Sequence, residues 1–284
     1  MKQAVDIAIP AITFALLMAV GLDLTRTDFV RVRRNPAVVA AGLLVPMLVL
    51  PLVALGLIRS VRPSPAVEAG LLLIAVCPIG GISNTYTYLA RASTALSVTL
   101  TGLSCLLAVV TIPLLTGGFE RLLSRPLDFS APASFLALQL ALMLALPVGV
   151  GMAVRHRWPA FAEAGRPLFQ RAAFAGLALL IVFVITSEAD QFLAGLHTTV
   201  PLSAAFVAIS FAAGWLTAGA VGASAPDRFT LSSEFATRNV AIATAISVTL
   251  LGRVDYAVFA TTYFLTELPL MLVAIALWRR RTRS

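Results

Sequence analysis

The sequence predicts an all-α polytopic membrane protein with about nine transmembrane helices. Of its 284 residues, 59% are hydrophobic and only 12% are charged, whereas a soluble domain carries roughly 25% charged residues. A bilayer core needs about 20 mostly apolar residues per helix, and about nine stretches of the chain meet that requirement. The composition therefore excludes an ordinary soluble fold.

The predicted spans follow one another along the chain, with short polar or charged separators between them. They cover residues 4–22, 36–58, 65–90, 94–116, 132–154, 171–187, 199–221, 229–251 and 255–278. The two longest separators with clustered arginines are 23–35 and 155–171. Pro36 and Pro65 begin two of the spans, at positions where the missing N–H of proline costs least.

The distribution of basic residues predicts the orientation, because cytoplasmic loops carry an excess of Lys and Arg. With the N-terminus outside, cytoplasmic segments hold 14 of the 21 basic residues, outer segments hold six, and Arg238 lies within a span. We therefore predict a multi-pass protein of the cell (inner) membrane with a cytoplasmic C-terminus. The net charge of +8 comes from loop clusters, so no nucleic-acid partner is expected.

The third span contains a polar, helix-breaking run from Cys77 to Arg91, which reads CPIGGISNTYTYLAR. A break at membrane depth is tolerated only where protein or a water-filled cavity covers it. Broken helices near the midplane are a recurring device for binding ions and substrates in transporters. The run predicts a discontinuous helix that lines a polar site; a re-entrant loop or a proline-kinked structural helix are the alternatives.

The eighth span contains a carboxylate and a guanidinium, Glu234 and Arg238, in the run SSEFATRN. Each ionisable group at this depth costs at least ~2.5–3.5 kcal/mol on insertion scales, so such groups pair or mark a functional path. Their i, i+4 spacing places them on one face of a continuous helix, so an internal salt bridge is the alternative. Glu267 in the last span is a third such group, and the sequence assigns it no role.

Two irregular segments, one in each half of the chain, are typical of an inverted-repeat transporter. The first repeat is predicted at about 1–130 and the second at about 131–284. The third and fourth spans would then correspond to the eighth and ninth.

Three stretches of the chain resemble the bile acid:sodium symporter family, including its bacterial members. Residues 19–29 read AVGLDLTRTDF, residues 77–101 read CPIGGISNTYTYLARASTALSVTLT, and residues 234–239 read EFATRN. The resemblance implies a core domain with two crossing broken helices and a panel domain beside it. The core would consist mainly of 65–116 and 229–278 with neighbouring spans, in the nine-helix form of the fold.

The resemblance also implies one sodium site, whose ligands come from both broken helices and the helix after the first. The implied ligands are Ser83, Asn84, Ser97, Thr101 and Glu234. The chemistry agrees, because a hard cation prefers oxygen ligands and one carboxylate leaves the loaded site near neutral. Ser97 and Thr101 are four residues apart and share a helix face, although interhelical hydrogen bonding is the commoner use of such residues in membranes.

A second sodium site of the family does not carry over to this sequence. Arg238 and Pro46 stand where the family has glutamines, and a guanidinium has no acceptor with which to ligate an ion. At most one sodium is therefore expected. Ala236 replaces a family glycine, which weakens the expectation of a break there. If Arg238 pairs directly with Glu234, it displaces sodium from the first site as well.

The function that the resemblance implies is secondary active transport of small organic anions by alternating access. Arg238 would favour a carboxylate or sulfonate on the cargo, and Asn239 is expected near the same cavity. The partners are then a small organic anion and the lipid bilayer, with Na⁺ as the coupling ion and no other metal. The oligomeric state is not predicted.

Several alternatives stay open beside this reading. The first is a sodium-independent or proton-coupled carrier, and the second is arsenite efflux through a thiolate at Cys77. An intramembrane enzyme would need catalytic groups, but no histidine lies near Glu234 in the sequence and no GxSxG motif is present. We therefore expect no catalytic residue. A sensory receptor would need an output domain, and only six residues follow Trp278.

Overall fold

The structure is a computed structural model that describes residues 2–25, 27, 30, 33–123 and 138–282. Its helices are α1 Lys2–Asp23, α2 Pro36–Val61, α3 Pro65–Val76, α4 Ser83–Ala90, α5 Thr94–Leu123, α6 Leu146–Arg157, α7 Pro159–Ser187, α8 Ala189–Ala220, α9 Ala225–Ala236, α10 Val240–Ala245 and α11 Val254–Arg281. A π-helical turn, Ala141–Ala145, precedes α6, and another, Ile246–Leu250, follows α10.

The helices confirm the prediction of an all-α polytopic membrane protein. Six segments are long and apolar enough to cross a bilayer: α2, Thr94–Phe119 of α5, Leu138–Arg157, α7, α8 and α11. The shorter apolar helices are Ala8–Asp23 of α1, α3 and Val240–Leu250, which begins with α10. The broken segments are α3 with α4 and α9 with α10. If each broken segment counts as one crossing, the described part of the chain contains the nine predicted crossings.

Two predicted separators are wrong, because the polar residues in them lie on helices. Most of 155–171 is helical, since α7 begins at Pro159, and α8 begins at Ala189 instead of 199. Proline suits the first turn of a helix, and arginine side chains extend from a helix end toward water. A prediction from the density of charged residues therefore placed the starts of α7 and α8 too late in the sequence. Residues 132–137 of the fifth predicted span lie outside the described residues, as does the predicted repeat boundary near 130.

The two broken segments cross and are joined by main-chain hydrogen bonds, so the second break forms despite Ala236. The Gly80 N–H donates to the Thr237 carbonyl at 3.1 Å, and the Asn239 N–H donates to the Pro78 carbonyl at 2.9 Å. A Cβ at Gly80 would lie 2.7 Å from the Arg238 carbonyl oxygen. Glycine is thus the residue that permits this close approach of two unwound backbones.

The remaining helices pack in two groups beside this crossing. One group consists of α1, α6 and α7, where α1 contacts both of the others. Gly21 and Gly151 let α1 and α6 approach closely, since added Cβ atoms would lie 2.1 and 2.2 Å from carbonyl oxygens of the facing helix. In the other group, α8 packs against α2, α9 and α11. The inverted-repeat relation between the halves remains a prediction.

Candidate functional site

The residues of the expected sodium site lie together around the carboxyl group of Glu234. Three hydroxyls contact this carboxyl group, and Asn84 contacts two of those hydroxyls, of Ser97 and Thr101. Ser83 and Asn84 begin α4 directly after the first break, and Glu234 lies in the last turn of α9 before the second break. Ser97 and Thr101 project from α5. Every member except Asn84 has an exposed fraction of 0%, so this cluster, hereafter the Glu234 cluster, is closed to water on most sides.

The distances in the Glu234 cluster are those of crowded oxygen atoms. Ser97 Oγ lies 2.5 Å from Glu234 Oε1, while Ser83 Oγ and Thr101 Oγ1 lie 3.2 and 3.3 Å from Oε2. Ser97 Oγ is also 2.7 Å from Asn84 Oδ1. The hydroxyls of Ser83 and Ser97 approach each other to 3.4 Å.

These oxygens outnumber the protons that are available to join them. The three hydroxyls supply three protons, fewer than the oxygen–oxygen pairs that lie within 3.5 Å in the cluster. A cation among them would convert the unmatched approaches into metal–oxygen contacts. One carboxylate and neutral hydroxyl and amide oxygens form a ligand set suited to a hard monovalent ion.

Arg238 lies in the second break, but it does not pair with Glu234. Its Nη2 donates to the Cys77 carbonyl, and its Nε and Nη1 have no hydrogen-bond partner in the part of the chain that the structure describes. Arg238 is only 5% exposed. The internal Glu234–Arg238 salt bridge, which was the structural alternative, is therefore not formed among the described side chains.

A small cavity borders both residues that replace the family's second-site glutamines. Pro46 and Arg238 line it together with Cys77 and Ser104, and its volume is about 10 Å³. That volume is room for about one water molecule. A fixed cationic side chain thus borders a space of the size that a single ion would need.

A larger cavity of about 110 Å³ lies between the α1 and α7 helices and the two breaks. Its apolar wall includes Leu16, Phe174 and Phe264. Its polar lining consists of Asp23, Asn84, Thr85, Gln170, Arg238 and Asn239. Asn84 therefore belongs both to this cavity and to the Glu234 cluster, and it is the direct link between them.

The two predicted substrate residues both line the larger cavity, but each also has another contact. Arg238 borders the small cavity as well. The Asn239 Oδ1 accepts a hydrogen bond from the Ile242 N–H at 3.1 Å and so caps α10. Its amide group is held in place by the helix that it caps.

Sequence reasoning missed Asp23 and Gln170 as cavity residues, because both fell in predicted separators. Asp23 ends α1 and forms an ion pair with Arg166 of α7, with 2.9 Å between Oδ1 and Nε. Gln170 lies one turn after Arg166 on α7. A helix that began at Pro159 would have placed Gln170 one turn from Arg166, the partner of Asp23, and only the count of arginines argued against that helix.

Comparison with known proteins adds independent findings. The sequence model of the Sodium Bile acid symporter family matches residues 10–195. A probable chloroplastic sodium/metabolite cotransporter, BASS2, of Oryza sativa subsp. japonica is 35% identical over 148 residues, which are 52% of this chain and 34% of the relative. The uncharacterized sodium-dependent transporter YocS of Bacillus subtilis is 38% identical over 106 residues, 37% of this chain and 33% of the relative.

A mammalian protein is also similar. The sodium-dependent organic anion transporter of Rattus norvegicus is 30% identical over 151 residues, which cover 53% of this chain and 40% of that protein. The chain thus spans between 33% and 40% of the length of these three relatives. The resemblance inferred from the sequence is confirmed.

Proposed function

Because this chain belongs to the Sodium Bile acid symporter family, we propose that it is a secondary active transporter that couples a small organic anion to sodium. Its family and its relatives are transporters, so the chain is not an enzyme. The observation that carries the sodium coupling is the arrangement of three hydroxyls and one amide oxygen, from two other helices, around the buried carboxyl group of Glu234.

The proposed sodium ligands are the members of the Glu234 cluster: Ser83, Asn84, Ser97, Thr101 and Glu234. The crowding of their oxygens supports this role, because the cluster has more acceptors than protons. We propose a single sodium per cycle. Arg238 and Pro46 border the small cavity where the resemblance places a second ion, and the guanidinium supplies a positive charge there without ligating anything.

The cargo is proposed to be a small organic anion that binds in the larger cavity. The positive charge of Arg238 attracts a carboxylate or sulfonate, and the amide of Asn239 offers a polar contact at the same break. The apolar wall formed by Phe174 and Phe264 would contact the hydrocarbon part of the cargo. The name of the rat relative, an organic anion transporter, points in the same direction.

The proposed transport step is a movement of α1, α6 and α7 relative to the helices that carry the two breaks. The larger cavity lies between these two bodies, so their movement would open it first to one side of the membrane and then to the other. An ion drives such a cycle only if it binds the two states with different affinity. Asn84 supplies that link, since it contacts the ion ligands and lines the cargo cavity.

The first test compares the melting temperature of the purified chain in sodium, potassium and choline at equal ionic strength. A ligand at about 100 times its Kd stabilises a protein by ~2.7 kcal/mol, so a sodium-specific rise is expected. The rise should disappear in Glu234→Ala. No sodium effect in the wild type, together with one in Arg238→Gln, would instead indicate a sodium-independent carrier in which the arginine has replaced the ion.

A transport assay completes the test once sodium binding is established. Proteoliposomes with an inward sodium gradient should accumulate at least one of two labelled probes, pyruvate as a small carboxylate and taurocholate as an amphipathic anion. Accumulation should stop when the gradient is dissipated. Equal uptake with and without the gradient would contradict sodium coupling.

A further inference from the structure

A second buried carboxyl group contacts the crossing of the two broken helices, and the proposed transport cycle does not use it. Glu267 of α11 has an exposed fraction of 0%. Its Oε1 accepts a hydrogen bond from Thr237 Oγ1 at 2.8 Å. Thr237 is the first residue of the second break, and its carbonyl accepts the main-chain hydrogen bond from Gly80 of the first. The carboxyl group therefore attaches α11 to the crossing itself.

The other oxygen of Glu267 has no hydrogen-bond partner in the described part of the protein. The hydroxyl of Tyr86, from α4, faces the same carboxyl group. Neither Glu267 Oε2 nor Tyr86 Oη makes a hydrogen bond of good geometry among the described residues, although the Tyr86 hydroxyl lies close enough to act as a donor to this carboxyl group. Tyr86 is only 1% exposed, so the pair is buried.

The charged and titratable groups around Glu267 leave its charge uncompensated. Tyr86 and Tyr263 face it from α4 and α11, and the Tyr263 hydroxyl already donates to the Ala236 carbonyl. The nearby guanidinium of Arg238 donates to Cys77 instead. Among the described residues no Lys, Arg or His side chain lies within 4.0 Å of the Glu267 carboxyl group.

An ionised carboxylate in this position is expensive, because a buried charge needs a partner or several hydrogen-bond donors. Glu267 accepts one well-formed neutral hydrogen bond, from Thr237, and faces one further hydroxyl, that of Tyr86, whereas Glu234 accepts three. A proton on Oε2 removes the uncompensated charge, and the carboxyl group can then share a neutral hydrogen bond with the Tyr86 hydroxyl. Sodium is a poorer fit, since only the Thr237, Tyr86 and Glu267 oxygens converge there.

We propose that Glu267 is a proton-binding site, separate from the Glu234 cluster, and that its carboxyl group is protonated at neutral pH in the state described here. The proton adds to Oε2 and no other bond changes. Because Thr237 and Tyr86 belong to the two broken segments, the protonation state of Glu267 would change the strength of the hydrogen bonds that attach α11 to both breaks. Any coupling of this proton to cargo movement rests on the proposed transport function, but the site itself does not.

The test is infrared spectroscopy of the purified full chain at neutral pH in saturating sodium chloride, in H₂O and in D₂O. A protonated carboxyl group gives a carbonyl band that shifts on deuteration, whereas the ionised carboxylates give none there. We expect the band in the wild type and its loss in Glu267→Gln. Glu68→Gln is the matched control, because Glu68 is also buried, at the first turn of α3, and this variant should keep the band.

A second variant keeps the proposal testable if Glu267→Gln does not fold. Tyr86→Phe retains the carboxyl group and removes the hydroxyl that faces it, so the band should persist at a changed frequency. An absent band in the wild type, or an unchanged band in both Glu267→Gln and Tyr86→Phe, would overturn the proposal.

The sodium response separates this proposal from the proposed function. If Glu267 binds a proton only, the sodium-dependent rise in melting temperature survives in Glu267→Gln. Loss of that rise in a folded Glu267→Gln protein would assign Glu267 to the sodium site and overturn the proton proposal. A wild type without any sodium response but with the Glu267 band would instead contradict the proposed function and support the proton site.

Discussion

The two carboxyl groups buried beside the second break have opposite surroundings. Glu234 accepts hydrogen bonds from the hydroxyls of Ser83, Ser97 and Thr101, which come from two other helices. Glu267 accepts one hydrogen bond, from Thr237, and its second oxygen is unpaired. The first site has more close oxygen contacts than protons to fill them, and the second has one well-formed hydrogen bond and no cationic partner among the described residues.

This difference supports a different proposed ligand for each carboxyl group. A cation resolves a surplus of acceptors, because it contacts several oxygens at once. A proton suits a carboxyl group with a single unpaired oxygen, because it binds that oxygen alone. The resulting O–H group then donates one hydrogen bond. Arg238 lies between the two residues in the sequence, yet its hydrogen bond goes to Cys77. The guanidinium therefore forms no salt bridge with either carboxyl group among the described side chains.

The largest expected effect comes from exchanging the two carboxyl groups for amides in turn. Glu234→Gln should weaken sodium binding about 100-fold or more, because it removes the only charged ligand. The stabilisation of ~2.7 kcal/mol expected for the wild type at about 100 times its Kd should then almost disappear at the same sodium concentration. Glu267→Gln should leave the sodium affinity within a factor of two or so of the wild type. Sodium titrations of the melting temperature measure both. Equal losses in the two variants would remove the distinction between the sites.

The next largest effect tests whether the close packing of the two broken segments is needed to hold the Glu234 and Glu267 sites in place. Gly80→Ala places a Cβ 2.7 Å from the Arg238 carbonyl oxygen, and such overpacking typically costs about 1–3 kcal/mol. We expect a lower melting temperature together with a weaker sodium response. Gly81→Ala is the matched control, because its Cβ would meet only the Val20 side chain, at 3.5 Å. Similar melting temperatures for the two variants would contradict the close approach of the breaks.

A smaller effect is expected from a single neutral ligand. Thr101→Val removes one hydroxyl from the Glu234 cluster and keeps the shape of the side chain. One hydrogen bond is worth about 0.5–1.5 kcal/mol, so sodium affinity should fall by roughly 3- to 10-fold. Thr116→Val, on the same helix, removes a buried hydroxyl that bonds only to carbonyls of its own helix. If both variants lose the same affinity, Thr101 acts through helix packing and not as a ligand.

The smallest effect is expected at Glu188, a carboxyl group outside the membrane spans. It serves as a reference for the two buried carboxyl groups inside them. Partial burial, and then the carboxylate of Asp255, raise the pKa of Glu188 between α7 and α8. The folded state therefore holds a proton on Glu188 more tightly than the unfolded chain does. As a result, the free energy of unfolding falls as pH rises through the ordinary pKa of a glutamate and just above it. Glu188→Gln should melt slightly higher than the wild type at neutral pH.

That difference between Glu188→Gln and the wild type should vanish in acid, where both side chains are neutral. Melting curves across this pH range measure it. A constant difference at all pH values would show that the substitution acts by packing instead of charge.

The features that could be predicted from the sequence are those that obey strict physical limits. The nine crossings follow from the length that a bilayer demands, and the break after Cys77 follows from its proline and glycines. The Glu234 cluster was predicted through resemblance, and its oxygen chemistry agreed. The second break was the weaker expectation because Ala236 replaces a glycine, and the structure shows that main-chain pairing with Gly80 is compatible with alanine there.

The remaining features depend on contacts between residues far apart in the chain. Tyr86 and Glu267 lie in different helices, and no spacing rule brings them together. Gln170 was assigned to a separator because arginines surround it, although long basic side chains are compatible with a helix end. Arg238 had two possible partners in the sequence, a carboxylate and a cargo, and its bond to a main-chain carbonyl had no signal at all.

We propose one sodium ion per chain at the Glu234 cluster, with Arg238 bordering the place of a second. Equilibrium binding of radioactive sodium to the purified protein measures this number. We expect a stoichiometry of one for the wild type, none for Glu234→Ala and a second, weaker site in Arg238→Gln. Binding of two sodium ions by the wild type, or of one that persists in Glu234→Ala, would contradict it.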